Sequence, residues 1–386
     1  MEYAAGPGDE PYDYYGDGEG NESGPGAQCE WPADWEVSFS LLPVLYMLVF
    51  VLGLSGNGLV IFTVWRGPRA KRRAADTYIG HLALADLAFV VTLPLWAAYT
   101  ALRFHWPFGS ALCKLSSYLV LLNMFASAFC LACLSFERYL AVARPLPRGR
   151  PVRPGASPAS LLPLAGLWLL AGLLALPALL LRDTQLSPPD NLTVCDLDLS
   201  GLAGPRAERY WLGALSLATS ALGFALPLLL MTLCYCGIGA AVSRHFAQLR
   251  KEQAKRRRLL RVIVTLVVVF ALCWLPFHLL KSLYVLSGLG LLDLPCAFLG
   301  LVVLLHPYAT CLAYVNSCLN PFLYAFFDLR FRARALLLLG LRRALRGPRP
   351  GPEPGPGPGP GLAGSVSSTL SGQTQKSEIH SLATKV

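Results

Sequence analysis

Lysine and arginine are absent from residues 1–40, and charged residues make up only 15% of the whole chain. An ordinary soluble domain carries about 25%, so a freely solvated globular surface is excluded. With basic residues and an apolar core both missing from residues 1–40, no cleavable signal peptide is expected before the first apolar run. That run is expected to insert as its own signal anchor. There is no internal repeat of the kind that inverted-repeat transporters show. No nucleophile stands with a base and no His/Cys set has metal-ligand spacing, so nothing points to an enzyme.

What the chain has in excess is apolar length. Hydrophobic residues are 54% of 386, and they gather into seven runs. These are about Leu41–Trp65, Thr77–Ala101, Ala111–Ala143, Pro158–Leu181, Tyr210–Val242, Leu259–Leu286 and Ala297–Phe327. Each reaches the roughly 20 residues that a helix needs to cross the hydrocarbon core. The expected fold is an all-α membrane protein: a seven-transmembrane helix bundle with a short amphipathic C-terminal helix.

Basic residues alternate between the connections. Arg66, Arg69, Lys71, Arg72 and Arg73 follow the first run, and Arg144, Arg148, Arg150 and Arg153 the third. Arg244 and the stretch 250–261 follow the fifth, and Arg330, Arg332, Arg334, Arg342 and Arg343 the seventh. The positive-inside rule puts these in the cytoplasm and the N-terminus outside. A multi-pass plasma-membrane protein is the expectation. The net charge of +10 is then a cytoplasmic face turned to anionic lipid, not a nucleic-acid surface.

Residues 1–40 are expected to be a disordered acidic extracellular tail and 41–327 the bundle. Residues 328–346 interleave Leu and Arg at helical spacing, as a helix on the inner leaflet does. Residues 347–386 begin with a Pro/Gly spacer and end as a disordered Ser/Thr-rich cytoplasmic tail suited to phosphorylation. Asn21 and Asn191 open glycosylation sequons, both on the outer side. Tyr12, Tyr14 and Tyr15 stand among acids, which fits either sulfation or plain solvated tyrosines.

Seven of the eleven cysteines lie inside the runs, where small apolar packing is their ordinary use. Cys29, Cys113, Cys195 and Cys296 remain on the oxidising side, so two disulfides are expected and three pairings are open. A Cys113–Cys195 bond would pin the loop between spans four and five across the bundle mouth. Cys29–Cys296 would then tie the tail to the start of span seven.

Asp86 lies mid-way along span two, where a charge costs about 2.5–3.5 kcal/mol on insertion scales. Such an acid needs partners. Asn123 and Ser127 share one helix face at a spacing of four, as do Asn316 and Asn320, with Ser317 alongside. These groups suit a polar network that binds helices, and their oxygens also suit a sodium ion. Pro227, Pro276 and Pro321 mark weak points in spans five, six and seven. Trp274 stands beside the second. Glu137-Arg138-Tyr139 closes span three on the basic side, as snorkelling border charges or as a moving part.

The marks converge. Asn57, Asp86, Glu137-Arg138-Tyr139, Trp168, Pro227 and Tyr235, Cys273-Trp274-Leu275-Pro276 and Asn320-Pro321-Phe322-Leu323-Tyr324 occur in order in successive spans. The chain resembles the class A (rhodopsin-like) G-protein-coupled receptors over roughly Leu41–Arg346, with Glu137 where Asp is commoner. The segments Val90–Trp96, Trp106–Gly109, Cys113–Tyr118 and Tyr314–Asp328 are similar to those of the peptide-hormone branch of that class. Span seven has no lysine, so a retinal Schiff base is excluded.

The resemblance implies an extracellular peptide ligand of the apelin or Toddler/Elabela kind. It implies a heterotrimeric G protein, of the inhibitory type that lowers cAMP, and arrestin recruited through the tail; homo- or hetero-oligomers fit the class. A scavenging or arrestin-biased receptor with little G-protein output is the alternative. Arg182 and Lys281 are implied for the peptide carboxylate, and Tyr46, Trp96 and Tyr314 for the pocket walls. Glu30 and Asp34 would steer a basic peptide. Glu137, Arg138, Tyr139, Tyr235, Trp274, Pro276, Asn320, Pro321 and Tyr324 would form the switch. No cofactor is implied beyond the candidate allosteric sodium. Arg103, His105, Ala297 and Leu299 stand where a receptor for a strongly basic peptide is expected to carry acids, which implies a weaker or shifted peptide preference. The amphipathic segment has no cysteine for a palmitoyl anchor.

Overall fold

The computed structural model of the protein describes residues 35–66, 74–143, 158–187, 192–199, 201, 204–244, 250–327 and 329–338. Cys29, Glu30, Asp34, both sequon asparagines, the three tail tyrosines and the Ser/Thr-rich tail lie outside these.

Ten α-helices and one hairpin follow in chain order among the described residues: α1 Glu36–Arg66, α2 Ala74–Val90, α3 Leu93–Ala101, α4 Gly109–Ala143 and α5 Pro158–Leu181. Then come β1 Arg182–Ser187 and β2 Leu192–Leu197, followed by α6 Pro205–Ser220, α7 Leu226–Arg244, α8 Arg250–Gly288, α9 Cys296–Phe327 and α10 Leu329–Leu338. Seven stretches are long and apolar enough to cross a membrane: Glu36–Arg66, Asp76–Ala101, Gly109–Leu140, Leu162–Leu181, Ala207–Ala241, Val264–Gly288 and Cys296–Leu323.

Two spans are interrupted. Span two breaks into α2 and α3 at Val91 and Thr92, because Pro94 cannot donate to the helix ladder. Thr92 caps the broken end by donating its hydroxyl to the Phe89 carbonyl at 2.8 Å. Span five passes through one wide turn, Ala221–Ala225, between α6 and α7. Pro227 follows two residues later and withholds its N–H from Gly223. By contrast, α8 runs through Pro276, and α9 through Pro307 and Pro321, as continuous helices.

The bundle is organised around α4, which packs against α2, α5, α7 and β1; α9 packs against α1 and α8. Its polarity is that of a protein in lipid. Leu162, Leu169, Leu180, Leu233 and Leu272 are exposed on the outside, whereas Asn57, Asp86, Ser127, Asn316 and Ser317 are almost fully buried. Lipid tails satisfy leucine but no amide or carboxylate, so the polar groups face each other.

At the outer end β1 and β2 pair antiparallel, with Thr184 opposite Cys195. The sequence alone suggests a loop here and no strands. Cys195 is joined to Cys113 at the start of α4, so the hairpin lies over the bundle. The loop 102–108 meets it: Trp106 N–H donates to the Thr193 carbonyl at 2.7 Å. Arg103 and Phe104 hold left-handed backbone (φ 55° and 65°), a strained conformation for side-chain-bearing residues. Phe104 packs with Trp35 and Phe39 in a small aromatic cluster, which stabilises the turn.

Candidate functional site

Three layers carry the residues singled out above. At the outer layer Tyr46, Trp96 and Tyr314 belong to one buried apolar cluster that also holds Cys113 and Cys195. Tyr46 and Tyr314 meet at 5.7 Å between ring centres, and Phe89 lies 4.8 Å from Tyr314. Trp96 packs on Trp106 at 5.1 Å, and its indole N–H has no protein acceptor.

Arg182 is buried at the first position of β1. It donates to the Cys195 carbonyl at 2.9 Å and lies 3.8 Å from Asp196, and its charge reaches the Tyr314 phenol. A buried guanidinium beside a backbone carbonyl and a half-exposed acid is a planar, permanently charged group of the kind that recognises carboxylates. Lys281 is also buried, with its ammonium 5.8 Å from the Phe277 ring centre on α8. Phe277 belongs to a different cluster from Tyr46 and Tyr314, so the two expected carboxylate cations approach from separate walls.

His278 escaped the sequence reading. It faces Ser220 at 3.0 Å through Nδ1, stacks on Phe224 at 4.9 Å and packs on Trp274 at 5.7 Å. Its Nε2 is buried without a protein partner. The signal was its spacing, one turn before Lys281 on the same helix face.

The altered mouth residues do not behave alike. Arg103 pairs with Glu36 at 2.7 Å and lies over Phe39 at 5.4 Å, so it neutralises an acid at the mouth. His105 accepts from the Thr193 N–H through Nδ1 at 3.3 Å and helps seat the hairpin. Ala297 is exposed and Leu299 half-buried on the first turns of α9. Cys296 is disulfide-bonded; its expected partner Cys29 lies outside the described residues.

Lys114 holds Asp183 at 2.8 Å. Hydrogen bonds from Lys114, Ser110 and the Thr184 N–H push the Asp183 carboxyl well below the usual carboxylate range. This pair and the disulfide bind the hairpin to α4 at adjacent points.

The middle layer surrounds Asp86. Asn123 Nδ2 donates to Asp86 Oδ1 at 2.9 Å, Ser127 Oγ to the same oxygen at 3.3 Å, and Asn320 Nδ2 to Oδ2 at 3.0 Å. Ser317 Oγ donates to Asn123 Oδ1 at 3.2 Å. One carboxylate thus joins α2, α4 and α9. Asn316 is buried nearby in sequence, but its amide nitrogen has no partner.

Sodium fits this set by chemistry, since one carboxylate, two hydroxyls and amide oxygens are hard ligands. In the arrangement seen here the amides of Asn123 and Asn320 turn hydrogens, not oxygens, to Asp86. A cation would require them to rotate.

Pro321 leaves the carbonyl of Ser317 without its helical donor, four residues back. Asn57 Nδ2 donates to that carbonyl at 2.8 Å and to Gly53 at 2.9 Å. The proline of span seven is therefore compensated from α1. Close approach there needs glycine: a Cβ on Gly56 would lie 3.0 Å from Pro321.

Trp274 packs against Phe270 and Phe277 directly before Pro276, with its indole nitrogen unpartnered. At the inner layer Glu137, Arg138 and Tyr139 are half-buried near the end of α4. The charges of Glu137 and Arg138 act on each other. Tyr235 on α7 shares a hydrogen bond of 2.7 Å with Ser135 on α4, a residue the sequence offered no reason to choose. Tyr324 lies on the last turns of α9.

Comparison with known proteins places residues 56–324 in the family described as 7 transmembrane receptor (rhodopsin family). The chain is 60% identical over 375 residues to the apelin receptor of Xenopus tropicalis, covering 97% of this chain and 96% of the relative. Apelin receptor A of Danio rerio is 59% identical over 378 residues, covering 98% of each. A type-1 angiotensin II receptor of Xenopus laevis is 36% identical over 301 residues, 78% of this chain and 80% of the relative.

Proposed function

This chain belongs to the rhodopsin family of seven-transmembrane receptors, and on that premise we propose that it is a peptide-activated receptor for apelin or a Toddler/Elabela-like hormone. It is a multi-pass plasma-membrane receptor and not an enzyme. The observation that carries the ligand class is the 59–60% identity with apelin receptors over nearly the whole chain.

The peptide enters from the side that carries the acidic tail, where Glu30 and Asp34 draw in a basic ligand. Its terminal carboxylate binds between Arg182 and Lys281, with Tyr46, Trp96 and Tyr314 as walls. The buried Trp96 and His278 nitrogens are free to read polar groups of the peptide. Arg103, already paired with Glu36, lowers the attraction of the mouth for basic peptides.

Pressure on Trp274 and His278 turns α8 about Pro276. The Asp86 network rearranges; Asp86, Ser127, Asn123, Asn316 and Asn320 are the residues that would hold a sodium ion, which would supply a positive charge to the buried carboxylate. Arg138 then leaves its resting contacts, and a cavity opens for a G-protein helix of the inhibitory class. Tyr139, Tyr235, Asn320, Pro321 and Tyr324 support the open form. Arrestin follows through the phosphorylated tail, and glycans are carried at Asn21 and Asn191.

The test is a side-by-side titration of both peptides on expressing cells, read as cAMP inhibition and as nucleotide exchange on purified inhibitory G protein. A saturable response to one peptide supports the reading. Binding with no exchange overturns the G-protein output and leaves the scavenging or arrestin-biased receptor. No binding of either peptide overturns the ligand.

A further inference from the structure

Ser135 and Tyr235 form the inner contact between α4 and α7. Their oxygens lie 2.7 Å apart, and Ser135 Oγ also donates to the Leu131 carbonyl at 2.7 Å. A serine hydroxyl has one hydrogen. Since the Leu131 carbonyl can only accept, that hydrogen is spent within α4. Tyr235 must therefore be the donor in the pair, and its single proton is committed to Ser135.

A second contact lies one turn further in. A Cβ on Gly237 would fall 2.6 Å from Tyr139 Cε2, so glycine lets α7 lie directly on that ring. Ser135 and Tyr139 are four residues apart and share one face of α4. Arg138 lies on the turn between them. The face that carries the arginine triplet is therefore clipped to α7 at two neighbouring levels, by a hydroxyl pair and by a ring on a glycine.

We propose that Ser135 is a positioning residue that holds the Tyr235 hydroxyl on α4 and so opposes activation. This deepens the receptor reading and rests on it. For Tyr235 to support the open form its hydroxyl must leave Ser135, so the Ser135 contact is a restraint on that change. A typical intramolecular hydrogen bond carries about a fivefold bias in such an equilibrium. Nothing is transferred covalently; the proton stays on Tyr235 throughout.

The experiment measures basal nucleotide exchange by the full-length receptor in membranes with purified G protein and no peptide. Ser135→Ala is expected to raise basal exchange about fivefold. Ser135→Thr, which keeps the acceptor, stays at the wild-type level. In a Tyr235→Phe background Ser135→Ala has no further effect. Unchanged or lowered basal exchange in Ser135→Ala, or a rise that persists in the Tyr235→Phe background, overturns the proposal.

Thermal unfolding of the parent, the two single variants and the double variant in detergent tests the contact without any signalling. Ser135→Ala should lower the midpoint more when Tyr235 is present than in the Tyr235→Phe background, where only the Leu131 bond is lost; additive effects overturn the contact. Coupled unfolding in a receptor that exchanges no nucleotide with peptide supports the restraint and overturns the signalling reading instead.

Discussion

At the outer end, among the described residues, the Cys113–Cys195 disulfide, the pairs Arg103–Glu36, Lys114–Asp183 and Arg182–Asp196, and a two-stranded hairpin tie α1, α4 and their loops together. At the inner end the contacts of α4 with α7 include one hydroxyl pair and a ring on a glycine. Between them, three donors converge on one carboxylate. The outer ties are covalent or multiple, so they keep a fixed mouth for a ligand. The inner hydroxyl pair is a single hydrogen bond of about 1 kcal/mol, which a binding event can exchange. A bundle with a covalently tied entrance and an exchangeable hydroxyl pair at the exit suits a two-state element biased from one side.

The comparison breaks most completely at Arg138. Arg138→Ala should reduce peptide-driven nucleotide exchange to background while peptide binding survives; normal exchange would remove the inner end from the mechanism. Next is the disulfide. Cys113→Ala or Cys195→Ala should lose peptide binding and about 2–4 kcal/mol of stability, seen in radioligand binding and thermal unfolding. Retained binding would mean that the hydrogen-bonded hairpin suffices to keep the mouth.

Asp86→Asn tests the middle layer. One amide oxygen cannot accept from both sides at once, so one donor is left facing an N–H group. The expected loss is about 1–3 kcal/mol, read by thermal unfolding. Sodium chloride should weaken agonist binding to the parent receptor and not to this variant. A salt effect of equal size in both would exclude sodium at Asp86.

Smaller effects are expected at the exposed pairs. Arg103→Ala removes the cation paired with Glu36 and should tighten binding of a basic peptide by about fivefold or less, since exposed pairs carry up to about 1 kcal/mol. Asp183 gives the pH test. Its carboxyl is depressed in the folded state, so its contribution is present above the ordinary carboxylate value of about 4. It fades as pH falls through the lower folded value. Asp183→Asn should therefore unfold slightly earlier than the parent at pH 7, with the gap closing in strong acid. A gap that widened with acid would reverse the assignment.

Much of this was legible in the residues. Seven apolar runs and the alternation of basic connections follow from lipid and headgroup chemistry that acts on each segment alone. Asp86 stood out because a mid-span acid is costly, and its partners were readable from the spacing of Asn123 with Ser127. The hairpin was not legible, since its polar residues carry no alternation and its pairing depends on Cys113, Trp106 and Asp183 arriving from elsewhere. The same holds for Ser135 and His278. A serine or histidine in a helix shows its use only when the facing helix is in place.

By itself the sequence determined the number of spans and the groups that had to be buried together, because hydrophobic length and charge act locally. The tertiary structure decided which donor meets which acceptor: that Asn57 repairs the carbonyl freed by Pro321, that Arg103 consumes Glu36, and that Tyr235 gives its proton to Ser135. A hydrogen bond is directional and only a few ångströms long, so helix-to-helix placement alone selects among partners that composition leaves equal.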